Sequence, residues 1–316
     1  MNSRNPISCG SYEVTLKNVE KVPPLIIKSS VYKFEPQPVS PEIEEKAKNE
    51  LRETVEIIDQ ALAEMRTYLK DEPDLNVPDD DYFFAKFLRP CKWHAKPAFD
   101  LMKRFYRFRI NHPRYCENLL PVNEHVTFSS GVLMSFPLRS KDGCRVVLVR
   151  GGKIWKPKEV SLDQIFRGLM LLLDAAIVEP TTQVCGIRVI LDMDGLSLSH
   201  VTYFTPSFAG AVLEWVQKCL PARLKGVHII NQPYIFNMVF AIFKPFIHEK
   251  LRKRVIFHGT DKAGLKSYIG AQALPQKYGG DLDLPLEQVG EPLWNYLNQF
   301  HEEFEESSKL GYTKKN

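Results

Sequence analysis

Carboxylates and histidines near apolar segments are the residues of this chain that could do catalytic chemistry. Asp192 and Asp194 stand at the end of the apolar run Gly186–Asp192, where a carboxylate pair could bind Mg²⁺ or act as acid and base. His228 lies in another apolar run and His258 ends a third, and neither has a partner at metal-ligand spacing in the sequence. We interpret Asp192 as a cap for nearby loop amides and the histidines as buried structural groups. The sequence therefore predicts no metal site.

Motifs that bind nucleotides or activate a nucleophile are missing from the sequence. No G-x-G-x-x-G or P-loop pattern occurs, and the segment Gly259–Lys266 has Leu265 where a P-loop needs glycine. Gly195–Ser199 ends in serine and so lacks the second glycine of a hydrolase elbow. We therefore expect no cofactor and no catalytic residue. The six cysteines are far apart in the sequence, which is typical of reduced thiols and not of a disulfide framework or a metal site. They are Cys9, Cys91, Cys116, Cys144, Cys185 and Cys219.

The composition is typical of a globular protein. The chain has 316 residues, of which 44% are hydrophobic and 25% are charged, and its net charge is +4. A chain of this length corresponds to about two domains and can bury a core without disulfides. The weak net charge argues against a nucleic-acid-binding protein. The N-terminus has no apolar signal segment, and the apolar runs are shorter than the roughly 20 residues that span a bilayer, so we expect a cytoplasmic location.

The first 117 residues are predicted to form an arm and a helical domain. Prolines and little apolar periodicity predict an irregular arm over residues 1–39. Ser40 and Pro41 are typical N-cap and first-turn residues, so a helix should begin there. Its apolar stripe should contain Leu51, Val55, Ile58 and Leu62. Two further helices, one beginning at Asp79–Asp81 and one over Trp93–Arg109, complete a helical domain over residues 40–117.

Strand and helix patterns alternate in the following residues, 118–282. The predicted helices cover Leu162–Ile177, Pro206–Cys219 and Tyr234–Glu249, and the predicted strands are Arg145–Arg150, Gly186–Asp192, Gly226–Asn231 and Arg254–His258. Apolar strands separated by helices indicate an α/β domain with a largely parallel sheet. Residues 283–316 should form a C-terminal helix and tail, and the helix around Trp294–Glu306 should pack back through Trp294, Leu297 and Phe300.

Positive charge is concentrated in residues 222–254. This segment holds seven Lys or Arg residues and one acid, Glu249, which gives +6 in a chain whose total is +4. The helix predicted at Tyr234–Ile247 is apolar around almost its whole circumference, with Pro233 before it and Pro245 inside it. Such a helix is buried, covers a cavity or contacts lipid. An apolar helix beside a basic cluster suits a protein that docks on anionic lipid and opens.

Several separate motifs resemble the CRAL-TRIO (Sec14-like) family of lipid-binding proteins, and within it the tocopherol-transfer and retinaldehyde-binding branch. They occur in the family's order within residues 40–282: Leu220–Pro233 (LPARLKGVHIINQP), Lys244–Phe246 (KPF), Arg254–Gly259 (RVIFHG) and Leu274–Gly280 (LPQKYGG). The resemblance implies a three-helix N-terminal domain followed by an α/β domain. It also implies an apolar ligand cavity closed by a movable gate helix.

The resemblance also implies roles for individual residues. The gate corresponds to Tyr234–Ile247. Phosphoinositide headgroups would contact Arg223, Lys250 and Arg254, while the family's fourth basic position is Cys91 here, so we expect Lys92 to make that contact. The cavity-lining positions carried over from the family are Phe166, Leu169, Met170, Leu173, Ile187, Val189, Leu191, Val212, Val216, Val227, Phe236 and Phe240.

The function implied by the resemblance is that of a monomeric, non-enzymatic cytosolic carrier. It would bind one hydrophobic molecule, a retinoid, carotenoid, tocopherol or other terpenoid, and exchange it at phosphoinositide-containing membranes. Leu169 and Leu173 stand where the tocopherol branch has small hydroxyl side chains, which favours a less polar ligand. Two alternatives stay open from the residues alone: a membrane-recruited adaptor with a vestigial cavity, and an α/β enzyme that acts on a lipid through Asp192 and His228.

Overall fold

The computed structural model describes residues 19–312, so Cys9 and the first part of the predicted arm lie outside the described residues. In the described part of the arm, β1 (Leu25–Ile27) and β2 (Ser30–Tyr32) form an antiparallel hairpin. Tyr32 packs edge-on against Tyr296, and the Phe34 amide donates a hydrogen bond to the Tyr296 hydroxyl (2.9 Å). These residues therefore differ from the predicted irregular conformation, because their aromatic side chains are buried against the C-terminal helices.

The helical region follows the hairpin. It contains α1 (Pro41–Leu51), α2 (Val55–Lys70), β3 (Leu75–Asn76), α3 (Asp81–Leu88), α4 (Ala95–Asn111), α5 (Pro113–Cys116) and α6 (His125–Ser129). The first predicted helix is split into α1 and α2, because Arg52 takes a left-handed conformation (φ 64°) that ends α1. The Asp80 carboxylate caps α3 by accepting a hydrogen bond from the Phe83 amide (2.9 Å).

A five-stranded sheet forms the centre of the following region, and it confirms the predicted α/β fold. Its strands are β4 (Leu133–Ser135), β5 (Arg145–Arg150), β6 (Ile187–Asp192), β7 (Leu224–Ile230) and β8 (Val255–Gly259), in that spatial order. β4 pairs antiparallel with β5, and the other pairs are parallel. Val189 pairs with Val227, which pairs with Val255.

The remaining helices cover the sheet and the C-terminal end. They are α7 (Leu162–Ala176), α8 (Pro180–Cys185), α9 (Leu198–Val201), α10 (Pro206–Glu214), α11 (Phe236–Phe243), α12 (Glu249–Arg252), α13 (Lys262–Ile269), α14 (Gly290–Asn298) and α15 (His301–Ser308), followed by β9 (Gly311–Tyr312), which pairs with β3. Short 3₁₀ turns occur at Arg89–Cys91, Pro121–Glu124, Lys244–Phe246, Gln276–Tyr278 and Leu286–Gln288.

Two predicted helices are interrupted near the gate. The one at Pro206–Cys219 ends as α10 and continues as a π-helical turn over Trp215–Cys219. The one at Tyr234–Glu249 is divided into α11, the 3₁₀ turn Lys244–Phe246 and α12, because Pro245 cannot continue an α-helix. None of the helices in residues 19–312 is both long and apolar enough to cross a bilayer.

Candidate ligand-binding cavity and the adjoining basic surface

An apolar cavity of about 240 Å³ lies on one face of the sheet. The floor of the cavity is formed by β5 to β8, and its walls by α7, by α10 with the π-helical turn, and by α11 with α12. In parallel strands alternate residues point to the same face. Val189 and Leu191 of β6, and Val227 and Ile229 of β7, accordingly reach the cavity from neighbouring strands.

Helix α7 contributes one wall through residues three and four apart. Phe166, Leu169 and Leu173 recur on one side of α7 and line the cavity. The helix begins at a capping box, in which the Ser161 hydroxyl accepts from the Gln164 amide and the Gln164 side chain accepts from the Ser161 amide. This cap fixes where the helix begins and therefore which of its leucines face the cavity.

The structure places most, but not all, of the predicted cavity residues at this wall. The exceptions are Met170 and Ile187, which are buried in the surrounding core. Met170 is rotated about 100° around α7 from Leu169 and falls on the adjacent face. Ile187 is the first residue of β6 and packs into the core beyond the cavity wall. The other ten predicted residues all line the cavity: Phe166, Leu169, Leu173, Val189, Leu191, Val212, Val216, Val227, Phe236 and Phe240.

The predicted gate forms the wall opposite the sheet. In α11, Phe236, Val239, Phe240 and Phe243 line the cavity, as their three- and four-residue spacing requires. The opposite side of this helix faces solvent, where Met238 is 49% exposed. The helical part of the gate is shorter than predicted, because Tyr234 precedes α11 and is 91% exposed.

Sequence reasoning missed two groups of cavity residues. The first is an aromatic cluster at the end of the cavity near β5, in which the Trp155 and Phe204 rings lie 5.6 Å apart and the Phe204 and Phe243 rings 6.1 Å apart. The second is an aliphatic cluster that contains Leu213, Leu224, Ile247 and Leu251. Ile229 also lines the cavity, and the alternation of residues along the strand from Val227 could have predicted it. Trp155 and Phe204 lie in loops, which have no periodic pattern.

The predicted basic cluster is divided between neutralised and free charges. Arg223 donates hydrogen bonds to the Glu50 carboxylate and to the Val184 carbonyl oxygen, and Lys225 pairs with the same carboxylate (3.3 Å). Burial raises the pKa of Glu50, but the hydrogen bond from Arg223 and the Lys225 charge outweigh it, so the pKa lies below its ordinary value. Glu50 on α1 therefore neutralises part of the charge predicted for this site.

Arg254 and Lys250 make no ion pair among the described residues 19–312. The side chain of Arg254 is half-buried, and burial together with repulsion by the Arg223 charge lowers its pKa. Lys250 is exposed, and its charge reaches Cys91, whose pKa burial raises to about 11 despite the opposing charges of Arg104 and Lys250. A surface of unneutralised positive charge thus lies between α12 and the Arg89–Cys91 turn.

Lys92 lies at the edge of this surface. Its side chain is exposed and its backbone is left-handed (φ 53°), a conformation that follows the Arg89–Cys91 turn. Cys91 itself is only partly buried. Lys92 thus directly follows Cys91, which the Lys250 charge reaches, while the contact predicted for Lys92 stays a prediction.

Of the residues first considered for catalysis, Asp192, His228 and His258 lie on the other face of the sheet, away from the cavity, and Asp194 lies in the loop after β6, where it pairs with Lys153 (2.6 Å). Asp192 is buried and accepts hydrogen bonds from the Tyr278 hydroxyl (2.7 Å), the Asn231 amide (2.9 Å) and the Asp194 backbone (3.1 Å). This agrees with its interpretation as a cap. The histidines differ from prediction in one respect, because His228 Nδ1 lies 3.0 Å from His258 Nε2 on the neighbouring strand. Among the described residues no His, Cys, Asp and Glu cluster could hold a metal ion.

A largely parallel α/β sheet with an apolar cavity under a short helix has the geometry of a binding site for a hydrophobic small molecule. Residues 130–280 match the family model of the CRAL/TRIO domain. The chain is 35% identical over 239 residues to human (Homo sapiens) alpha-tocopherol transfer protein-like, covering 76% of this chain and 68% of that protein. The protein belongs to the CRAL/TRIO family of lipid-binding proteins.

Three further similarities were found. Human (Homo sapiens) clavesin-2 is 31% identical over 256 residues, which cover 77% of this chain and 75% of that protein. Clavesin-1 of Mus musculus is 30% identical over 249 residues, which cover 77% of this chain and 70% of that protein. Among solved structures, the crystal structure of Sfh5 aligns with a TM-score of 0.48 and 18% identity, over 69% of this chain and 82% of that chain.

Proposed function

We propose that this protein is a non-enzymatic cytosolic carrier, which holds one terpenoid-type molecule in the cavity and exchanges it at phosphoinositide-containing membranes. The observation that carries the proposal is the cavity itself, an apolar space of about 240 Å³ inside a CRAL/TRIO domain. Burying about 400 Å² of apolar ligand surface contributes roughly 10 kcal/mol as an upper bound. Retention of the ligand should therefore depend on the cavity. The open volume also argues against the adaptor, because side chains would fill a vestigial cavity.

The gate has two places where its backbone can change direction. At its N-terminal end, Asn231 has a left-handed backbone (φ 53°) and Pro233 follows it. At its C-terminal end, Pro245 separates α11 from α12. Proline and left-handed residues interrupt regular backbone hydrogen bonding. The gate helix can therefore rotate about these two points while the strands of the sheet stay paired. Opening between these two points would expose Phe236 and Phe240 and with them the ligand.

The outer surface of the gate has the chemistry of a membrane contact. Tyr234, Met238 and Phe246 are 91%, 49% and 36% exposed. Lys244 and Lys250 are exposed nearby along the chain. Exposed apolar side chains next to cations suit the boundary between lipid tails and anionic headgroups, where each Lys or Arg contributes about 1 kcal/mol. Docking on this surface would bring the gate to the membrane.

The headgroup would be bound by Lys92, Arg223, Lys250 and Arg254. Arg254 and Lys250 support this proposal most, because no carboxylate among the described residues neutralises them. Arg223 is held by Glu50 and would contribute charge more than a new contact. A multiply charged phosphate would relieve the repulsion between Arg223 and Arg254.

Mass spectrometry of the purified protein under native conditions, followed by organic extraction, tests the carrier function. We expect one hydrophobic molecule for each chain, released by the solvent. A protein that is purified without any bound lipid, and that takes up none from vesicles, would contradict the proposal and favour the adaptor. Conversion of the bound molecule into a product would instead favour an enzyme.

Vesicle sedimentation tests the headgroup site separately. Lys250→Ala with Arg254→Ala should weaken binding to phosphoinositide vesicles several-fold and leave the bound ligand in place, with the loss shrinking at high salt. Lys70→Ala with Lys158→Ala removes the same charge from exposed positions on other elements and serves as the matched control. Equal binding by the two double variants would show that the assigned site is wrong.

A further inference from the structure

Among residues 19–312, which the structure describes, no side chain of the cavity wall is free to form a hydrogen bond with a ligand. Every lining residue is apolar, and the exposed wall consists of carbon and sulfur atoms almost throughout. Within the described part of the chain, Trp155 is the one lining side chain with an N–H group, and its indole nitrogen already donates to the Val160 carbonyl oxygen (2.7 Å). An oxygen atom on an enclosed ligand would therefore find no side-chain donor.

The backbone around the cavity is also occupied by its own hydrogen bonds. The floor strands pair along their lengths: Val189 of β6 pairs with Val147 of β5 on one side and with Val227 of β7 on the other. Val227 is paired in turn with Val255. Peptide groups in such ladders have no free donor for a ligand. Neither side chains nor floor backbone can replace the water that a ligand hydroxyl loses on entry.

The lining residues extend along the sheet. Leu224 and Ile229 both line the cavity and are five residues apart on β7, which corresponds to about 17 Å at roughly 3.3 Å per residue. The aliphatic residues Leu213 and Leu251 lie toward one end, and the aromatic rings of Trp155 and Phe204 toward the other. An elongated molecule fits this shape better than a compact one, and a planar unsaturated part can pack against the aromatic end.

We propose that the enclosed part of the ligand is an elongated hydrocarbon that carries no hydroxyl, carbonyl or carboxyl group. This inference rests on the proposed carrier function and narrows its ligand from terpenoids in general to oxygen-free ones. Each enclosed hydroxyl should reduce the preference for the protein at least tenfold, equivalent to about 1.4 kcal/mol.

A pair of probes that differ by one oxygen atom tests the inference. Retinol and axerophthene, its analogue with CH₃ in place of CH₂OH, are about as long as the cavity and absorb where tryptophan emits. Energy transfer from the four tryptophans, of which Trp155 lines the cavity, reports binding of the probes. Phosphatidylcholine vesicles serve as the competing phase, so the difference in hydrophobicity between the two probes cancels. The ratio of the protein–vesicle partition constants should favour axerophthene at least tenfold.

Variants of one wall residue provide the control. Val189→Thr keeps the shape of the side chain and adds a hydroxyl to the cavity wall, so it should bring the ratio of the two probes closer to one. Val189→Ala adds space without a polar group and should leave the ratio unchanged. Equal or tighter binding of retinol by the unaltered protein would overturn the inference and keep the carrier. Failure of both probes and of all vesicle lipids to bind would overturn the carrier function itself.

Discussion

The two faces of the central sheet are built from the same strands but from different chemistry. Val189 and Val227 face the cavity, while their chain neighbours Arg188 and His228 face the opposite layer. Apolar contacts have no preferred direction, and they allow one face to border a cavity and the proposed gate helix. Hydrogen bonds and ion pairs need fixed geometry, so the opposite face holds its strands in register. Alternation along two strands thus separates a deformable face from a rigid one.

The rigid face contains one continuous polar network, the Arg188 network. Arg188 pairs with Asp142 (2.7 Å) and approaches His228 Nε2 (3.3 Å), and His228 Nδ1 approaches His258 (3.0 Å). The Tyr268 ring packs over the guanidinium of Arg188 and beside both imidazoles. Because Arg188 donates to Nε2, neutral His228 carries its proton on Nδ1 and donates to His258. This network crosses β6, β7 and β8 below the cavity floor.

The largest expected effect comes from breaking this network. Arg188→Met removes the ion pair from the Asp142 carboxylate and the donor from His228 in a partly buried site, and should lower the free energy of unfolding by about 3 kcal/mol. Val189→Ala, one residue along and on the cavity face, should cost only about 1 kcal/mol because its side chain already borders empty space. Urea denaturation followed by circular dichroism measures both. Equal losses would show that the two faces do not differ in rigidity.

The second largest expected effect is a loss of unfolding free energy in acid, through His228 on the rigid face. Burial, with the charges of Arg188 and His258 adding to it and Asp142 opposing it, lowers the pKa of His228 from 6.5 to about 4. The unfolded chain therefore binds a proton that the folded chain does not between these values. Stability is complete above about pH 6.5 and falls as the pH drops toward 4, by at most about 3 kcal/mol at 1.36 kcal/mol per pKa unit.

Denaturation between pH 7 and pH 4.5 measures this dependence. His228→Gln removes the titrating group but keeps a side chain that can accept from Arg188 and donate to His258. Its unfolding free energy should change less over this interval than that of the unaltered protein. An identical pH dependence in the two proteins would show that His228 is not the group responsible.

The sequence predicts the two faces to different extents. Alternating apolar residues such as Val189 and Leu191 are visible as a strand pattern, so β5 and β6 were predicted almost to the residue. The pairing of His228 with His258 depends on the parallel order of β7 and β8, which no local pattern contains. Glu50 is separated from Arg223 by more than 170 residues, and so its neutralising effect could not be predicted either. Local periodicity thus predicts which residues share one face of a strand. Contacts between residues far apart in the chain can be known only once the fold is known.

The cavity face can be tested through its movable wall. Phe240→Asp places a carboxylate against the ligand and should reduce affinity at least tenfold, because burying an unpaired charge is costly. Asn237→Asp adds the same charge to the exposed side of α11 and should change affinity little. Fluorescence titration with a polyene ligand measures both variants. If Asn237→Asp were the more impaired, the assignment of the inner face of the gate would be wrong.

The smallest expected effect concerns hydrogen bonds of Gln217 at the rim of the cavity. Gln217 lies in the π-helical turn beside the C-terminal end of the gate. Its side-chain amide donates to the Phe246 carbonyl oxygen (3.0 Å) and to the Leu213 carbonyl oxygen (3.0 Å), and its oxygen accepts from the His248 amide (2.8 Å). Gln217 thus fastens the segment around Pro245 to the wall of the cavity.

Gln217→Ala should release this end of the gate without changing the cavity wall. Loss of partly exposed hydrogen bonds of about 1 kcal/mol in total raises the open population, so ligand transfer to acceptor vesicles should be about fivefold faster. Gln217→Glu keeps an acceptor for the His248 amide but places a carboxylate against the Phe246 carbonyl oxygen, and should accelerate transfer at least as much. Gln60→Ala, which removes a glutamine from the exposed side of α2, should leave the rate unchanged. Unchanged transfer in both Gln217 variants would mean that apolar packing alone holds the gate, and that directional bonds are confined to the opposite face of the sheet.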